Sequence, residues 1–334
     1  MKLLRYLLFP IVPIYFLVSW AINLMYDLGL KQSKSYNLPI ICVGNLSVGG
    51  TGKSPMIEYL IRLLQSDYNL ATLSRGYKRE TKGFKLADES DSAKTIGDEP
   101  FQFYNKFKNQ IKVAVDANRQ EGIAELLALK NKPNVILLDD AFQHRKVKAG
   151  LNVLLTTYNN LYCKDIVLPT GNLREPRSGA KRAQIIVVTK CPESITEKQK
   201  QTIKAKLNLA AKQQVFFSSI SYSENVFSIN KTLNVLELKK FTLVTGIANA
   251  SPLVEFLKMK DLEFNHLNFK DHHIFSKTEL ENLAKLDCIV TTEKDFMRLK
   301  SVRVLQDKLF YLPIEVLIDN KDLFDKIILN FVSN

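Results

Sequence analysis

Paired cysteines are missing. The four present, Cys42, Cys163, Cys191 and Cys288, are widely separated and form no Cys-x-x-Cys pair. That excludes a paired-thiolate zinc site and a disulfide framework, and it fits a reducing cytosol. Cys42 and Cys288 lie inside apolar, strand-like runs, where a cysteine behaves as a small buried hydrophobe. Acidic residues are also in deficit: 34 Asp and Glu stand against 47 Lys and Arg, a formal net charge of +13. Such an excess calls for an anionic partner, which could be nucleic acid, a phosphorylated substrate or an acidic lipid surface. No nucleic-acid-binding motif accompanies the charge, so nucleic acid is not expected. Fixed-period repeats and low-complexity tracts are absent too. What remains is a chain of 334 residues, 46% hydrophobic and 24% charged. It can bury a large core and is long enough for two domains.

Charge is missing altogether between residues 7 and 25, where Phe9, Ile11, Ile14, Phe16, Leu17, Val18, Trp20 and Ile22 crowd together behind Lys2 and Arg5. The segment approaches the ~20 residues needed to span a bilayer, and Trp20 and Tyr26 are the aromatics that favour its interface. Pro10 and Pro13 interrupt a straight spanning helix, so a half-inserted or interfacial helix is at least as well supported. No small-x-small cleavage pattern follows the apolar run, which counts against an exported signal peptide.

The most informative stretch is Ser47, Val48, Gly49, Gly50, Thr51, Gly52, Lys53 and Ser54. It follows an apolar run at 38–43 and precedes Met56, Ile57, Leu60, Ile61, Leu63 and Leu64 at helical spacing, the place of a phosphate-binding loop. Glycines there let successive N–H groups converge on phosphate oxygens at the positive end of a helix. Lys53 would reach the terminal phosphates and the Ser54 hydroxyl would sit on Mg²⁺, so ATP and Mg²⁺ are the expected ligands. Where the usual pattern opens with glycine, this chain has Ser47. A Gly-rich turn that binds nothing is the competing interpretation.

Strand-like runs at 70–74, 111–115, 135–139, 151–156 and 185–189 alternate with helical patterns at 98–107, 119–129 and 196–211. This predicts a P-loop NTPase-like, doubly wound α/β sheet. A second, smaller α/β lobe is expected from strands at 241–245, 263–269 and 288–291 with helices at 252–259, 277–286 and 321–331. The expected division is a membrane-associated helix at 1–30, a P-loop domain at 31–220, a linker or ribbon at 221–240 and a C-terminal lobe at 241–334.

Asp139 and Asp140 close the apolar run at 135–138, where a carboxylate can hold Mg²⁺ or its waters opposite Ser54. Asp98, beside Glu99 and Pro100, could accept a proton from an alcohol or could cap a helix. Asp271, His272 and His273 could serve proton transfer or make local hydrogen bonds. The loops at 74–79 and 171–179 carry arginines, including Arg174 and Arg177, that could clamp phosphates or simply be solvated.

Taken together, the runs from Gly44 to Pro55, Leu73 to Tyr77, Gly97 to Pro100, Leu138 to His144, Gly171 to Pro176 and Thr292 to Asp295 resemble the tetraacyldisaccharide 4′-kinases, the lipid A 4′-kinases. The likeness spans nearly the whole chain, and the serine at the head of the loop is the family's habit. It implies ATP-dependent phosphorylation of the 4′-hydroxyl of a tetraacylated glucosamine disaccharide 1-phosphate, an anionic glycolipid, at the cytoplasmic face of the inner membrane of a Gram-negative bacterium. It also implies Asp98 as base with His272 as its partner. Lys53, Ser54, Asp139 and Asp140 would serve ATP and Mg²⁺, and Arg174 and Arg177 the phosphates. Gln143 and Glu99 would support them, and Thr292 to Asp295 resembles a base-reading loop. The rival is a membrane-positioned switch ATPase of the partition type, whose loop carries a signature lysine where Val48 stands here.

Overall fold

A computed structural model describes residues 5–271 and 273–333, and its strands form two sheets. The first eight strands are β1 (Ile40–Asn45), β2 (Leu70–Ser74), β3 (Lys85–Leu86), β4 (Lys112–Val115), β5 (Val135–Asp139), β6 (Leu151–Thr157), β7 (Ile185–Thr189) and β8 (Gln214–Tyr222). All belong to one sheet, and from β8 across to β4 each neighbouring pair runs parallel. β1 lies at its centre between β6 and β5, and every residue of β1, β2, β5 and β7 is buried. Continuous Val, Ile and Leu runs are what a sheet covered on both faces demands.

The helix Lys53–Leu64 turns Met56, Ile57, Leu60, Ile61 and Leu64 onto one face of this sheet, all fully buried. At about 1.5–3 kcal/mol for each large apolar side chain removed from water, this contact anchors the start of the helix where the loop before it must be held still.

The second sheet holds β9 (Asn225–Phe227), β10 (Thr232–Asn234), β11 (Phe241–Thr245), β12 (Phe264–Asn268), β13 (Ile289–Thr292) and β14 (Leu309–Leu312). Their order is β10-β9-β14-β13-β11-β12. The polar stretch at 221–240, expected to be a linker or ribbon, thus belongs to this lobe: Val226, Val235 and Leu238 pack with Leu243, Val290 and Phe310. The expected C-terminal boundary shifts as well. β15 (Ile314–Ile318) returns to the first sheet and pairs antiparallel with β8, from Ile314 opposite Tyr222 to Ile318 opposite Ser218. The final helix, Lys321–Ser333, then packs Phe324 edge-on against Phe216 and Tyr59, and Tyr59 donates to Asp325 at 2.6 Å. The physical reason is the apolar stripe of Phe324, Ile328 and Val332, which completes the core around the loop's helix.

The helix Asp98–Phe107 joins the lobes. Its Phe101 shares an apolar cluster with Phe296, Met297 and Leu299 of the second lobe. Lys106 donates to Glu58 at 2.6 Å and to Glu293 at 2.9 Å. Burial, then the charge of Glu58, pushes Glu293 up to about 7. Lys106→Ala would leave two buried carboxylates facing each other, an expected loss of about 3–5 kcal/mol that denaturant unfolding would measure.

The N-terminal helix, Val12–Asp27, buries none of its residues, and Phe9–Asp27 has the length and composition to cross a membrane. Val12 and Tyr15 pack against the first lobe's core, and polar bonds complete the attachment. Tyr15 Oη donates to the Arg174 carbonyl at 2.9 Å, Asn23 Nδ2 to Glu175 at 2.8 Å, and Arg145 to Asp27 at 2.6 Å.

Candidate active site

The phosphate loop is tied on every side. Asn45, the last residue of β1 and fully buried, donates from Nδ2 to the Ser47 carbonyl at 2.7 Å and to Thr51 Oγ1 at 2.9 Å, fastening both limbs of the loop. Thr189 Oγ1 donates to the Thr51 carbonyl at 2.7 Å, and Lys190 Nζ to the Gly50 carbonyl at 2.7 Å. On the other flank Val48 N donates to the Asn172 carbonyl at 2.8 Å, and Arg174 N to the Leu46 carbonyl at 2.7 Å. Gly52 enters the helix with φ +89°, a left-handed conformation that favours glycine. With these carbonyls engaged from outside and the Val48 N–H spent on Asn172, the N–H groups from Gly49 to Ser54 are the ones placed to receive an anion at the helix start.

Lys53 Nζ lies 3.5 Å from Asn45 Oδ1 and 3.7 Å from Asp140 Oδ1. Asp140 also accepts from Arg174 Nη1 at 2.8 Å. Against the upward push of burial, Lys53 and Arg174 hold its carboxyl below the ordinary range. Asp139, one residue earlier, is in the opposite condition. It is buried at the end of β5, and its Oδ2 accepts from Ser74 Oγ at 3.2 Å, while its buried Oδ1 has no hydrogen-bond partner. Burial, then the negative charge of Glu99, pushes it up to about 7. Glu99 in turn accepts from Ser54 Oγ at 2.7 Å. Ser54, Glu99, Asp139 and Lys53 therefore lie near enough for Glu99 and Lys53 to act on the Asp139 carboxyl in opposite directions. No group of three or more His, Cys, Asp or Glu among the described residues forms a closed metal cage. An open site suits Mg²⁺, which commonly takes one or two carboxylates and completes its shell with phosphate and water.

Gly97, with φ +94°, is the N-cap residue of the helix Asp98–Phe107, so Asp98 lies in the first turn and does not cap. A Cβ at Gly97 would stand 3.2 Å from Gly76 Cα and 3.3 Å from the Tyr77 carbonyl, which is how closely the loop after β2 approaches. The Asp98 carboxylate is paired with Arg298 of the second lobe. Thr292 caps the helix Glu293–Leu299 through the Asp295 N–H, and Asp295 is fully buried. The Thr292 to Asp295 motif is thus a helix start at the lobe interface. His272 lies outside the described residues. His273 Nε2 meets Glu279 at 3.0 Å, with its ring stacked on Phe269 at 4.7 Å.

Of the two arginines, Arg174 reaches the site, whereas Arg177 Nε donates to the Asp165 carbonyl at 2.7 Å. Gln143 Nε2 donates to the Asn45 carbonyl and to Glu175, each at 2.9 Å, supporting the loop from below. Sequence reasoning missed Asn45, Ser74, Thr189, Lys190 and Arg298. The first three end parallel strands, the position where such sheets hold ligands, and that alone could have singled them out.

A glycine-rich loop between the central strand and its helix, with an acidic residue ending the neighbouring parallel strand, defines a nucleotide-binding protein of the P-loop NTPase class. The family model for tetraacyldisaccharide-1-P 4′-kinase matches residues 4–333, and the chain belongs to that family. A tetraacyldisaccharide 4′-kinase of Flavobacterium johnsoniae is 51% identical, covering 100% of this chain and 98% of that protein. One from Bacteroides thetaiotaomicron is 46% identical, covering 97% and 92%. The crystal structure of the "apo" form of LpxK from Aquifex aeolicus in complex with ATP is similar with a TM-score of 0.77 and 29% identity, covering 98% of this chain and 99% of that one. The switch-ATPase alternative finds no support beside this membership.

Proposed function

We propose that the chain transfers the γ-phosphoryl group of ATP to the 4′-hydroxyl of a tetraacylated glucosamine disaccharide 1-phosphate, giving the bisphosphorylated lipid A precursor. The observation that carries this reading is the link from Ser54 through Glu99 to Asp98, which brings the helix carrying a carboxylate base to the phosphate loop. The loop amides and Lys53 bind the β- and γ-phosphates. Ser54, Asp139 and Asp140 are the residues that would hold Mg²⁺, and the unpartnered Oδ1 of Asp139 fits that use. When bound, Mg²⁺ supplies charge neutralisation on the transferring phosphate. Asp98 accepts the proton of the 4′-hydroxyl as its oxygen attacks the γ-phosphorus and ADP leaves, with His272 orienting the carboxylate. Arg174 and Arg177 belong to the loop beside the phosphates, and Arg174 can exchange Asp140 for a phosphate oxygen. Closure of the second lobe over ATP would exclude water before transfer.

The N-terminal helix seats the enzyme on the cytoplasmic face of the inner membrane. Because Tyr15 and Asp27 are both held to the globular body, an interfacial seat is favoured over a span. Ile14, Leu17 and Val18, each more than half exposed, face outward for acyl chains. Leu17→Asp is expected to weaken co-sedimentation with anionic phospholipid vesicles roughly tenfold. Unchanged sedimentation would reject the helix as the anchor.

The decisive assay incubates purified protein with γ-labelled ATP and the acylated disaccharide 1-phosphate in detergent micelles. Label should appear in a bisphosphorylated lipid; ATP hydrolysis without labelled lipid would reject the kinase reading.

A further inference from the structure

We infer that Arg298 is a positioning residue for Asp98, and that Thr292, Asp295 and Gly246 form the socket that aims it. The inference rests on Asp98 being the base. Arg298 stands on the short helix Glu293–Leu299 with its guanidinium between two carboxylates, Asp98 in front and Asp295 behind, the latter at 3.1 Å from Nη1. Asp295 is itself immobilised. Its Oδ2 accepts from the Gly246 N–H at 2.8 Å and from Thr292 Oγ1 at 2.7 Å. A fully buried carboxylate is costly without a cation, so Asp295 and Arg298 hold each other in place. A planar guanidinium can present separate N–H groups to two acids at a fixed angle, whereas an ammonium is a point charge without that fork.

Holding the lobes together does not require this pair. The interface already has Lys106 between Glu58 and Glu293, Lys300 on Asn105 and over the Phe101 ring at 4.5 Å, and the cluster of Ile96, Phe101, Phe296 and Met297. What Arg298 adds is a charged contact from the second lobe to one carboxylate in the first turn of the helix Asp98–Phe107. The base belongs to the first lobe and its aim to the second. A competent Asp98 therefore exists only while the lobes are together, which gives the Thr292 to Asp295 motif a purpose: it builds the seat of the arginine.

The test uses the full-length enzyme in the micellar transfer assay, comparing Arg298→Ala, Arg298→Lys and Asp98→Ala. A misaimed base is expected to lower kcat about 100-fold in Arg298→Ala with KM for ATP within about twofold. Methylguanidinium in the buffer should restore part of the Arg298→Ala rate and none of the Asp98→Ala rate. Arg298→Lys keeps the charge without the fork, and it should remain at least about tenfold slow; this variant carries the test should the alanine variant melt early. Wild-type kcat in both Arg298 variants beside an inactive Asp98→Ala would overturn the inference and leave the base intact. So would a slow Arg298→Ala of normal thermal midpoint that ignores methylguanidinium. An active Asp98→Ala would instead remove the base reading on which the inference stands.

Discussion

Asp98→Ala is expected to lower kcat by about three orders of magnitude while leaving the equilibrium affinity for ATP within about twofold, because a positioned general base contributes 10²–10⁴-fold to rate. The two quantities separate because different elements carry them. The phosphates are bound by the loop after β1, whose carbonyls are fastened by Thr189, Lys190 and the Asn45 amide, none of which touches Asp98. Asp98 stands on the helix Asp98–Phe107, where its carboxylate pairs with Arg298 of the second lobe. Asp98→Asn is the sterner control, since it keeps the shape and can still accept a hydrogen bond but has almost no basicity. Both variants should fall together in kcat, read by single-turnover transfer, with ATP binding read by calorimetry. A drop in affinity that matches the drop in kcat would assign Asp98 to nucleotide binding instead.

The first sheet was largely legible because its strands are buried on both faces and so read as unbroken apolar runs. The runs expected at 70–74, 135–139 and 185–189 are β2, β5 and β7 as observed, and the helix expected at 98–107 is the observed Asp98–Phe107. Such signals are local. β15 escaped because Ile314 to Ile318 carries little distinction in itself, and its partner β8 lies far back in the chain. β3, β9 and β10 are too short to show a period. Asp98 shows the limit for a site: a carboxylate at the first turn of a helix is ordinary electrostatics. Only the cleft distinguishes a base from a dipole partner. Arg298 was invisible for the same reason, since one arginine on a helix gains meaning from the acids that tertiary packing brings to it.

Asp139→Asn is expected to move stability and activity in opposite directions. Burial first, and then the charge of Glu99, pushes the Asp139 carboxyl up to about 7 from an ordinary value of 3.8. A folded-state value above the unfolded one means that the folded form binds the proton more tightly. The associated stability is present below about pH 4 and is lost as pH rises through about 7. At pH 8 the buried charge is a burden, offset in part by Lys53, that asparagine does not carry. The variant should therefore be more stable by about 1–2 kcal/mol at pH 8, some ~2–5 °C in Tm, with the gap closing toward pH 5 where the parent is protonated. Transfer should fall at least ~100-fold, because the charge that destabilises the empty site is the charge that Mg²⁺ and the phosphates need. Saturating Mg·ATP should stabilise the parent by roughly 3 kcal/mol at a hundredfold excess over Kd, and the variant by little more than ATP alone does. A variant less stable than the parent at pH 8 would show that Asp139 holds the fold together through Ser74. A full Mg²⁺-dependent shift in the variant would move the metal to Asp140 and Glu99. The expected pairing, greater stability with lost activity, follows from a carboxylate kept buried and underpaired until its ligand arrives.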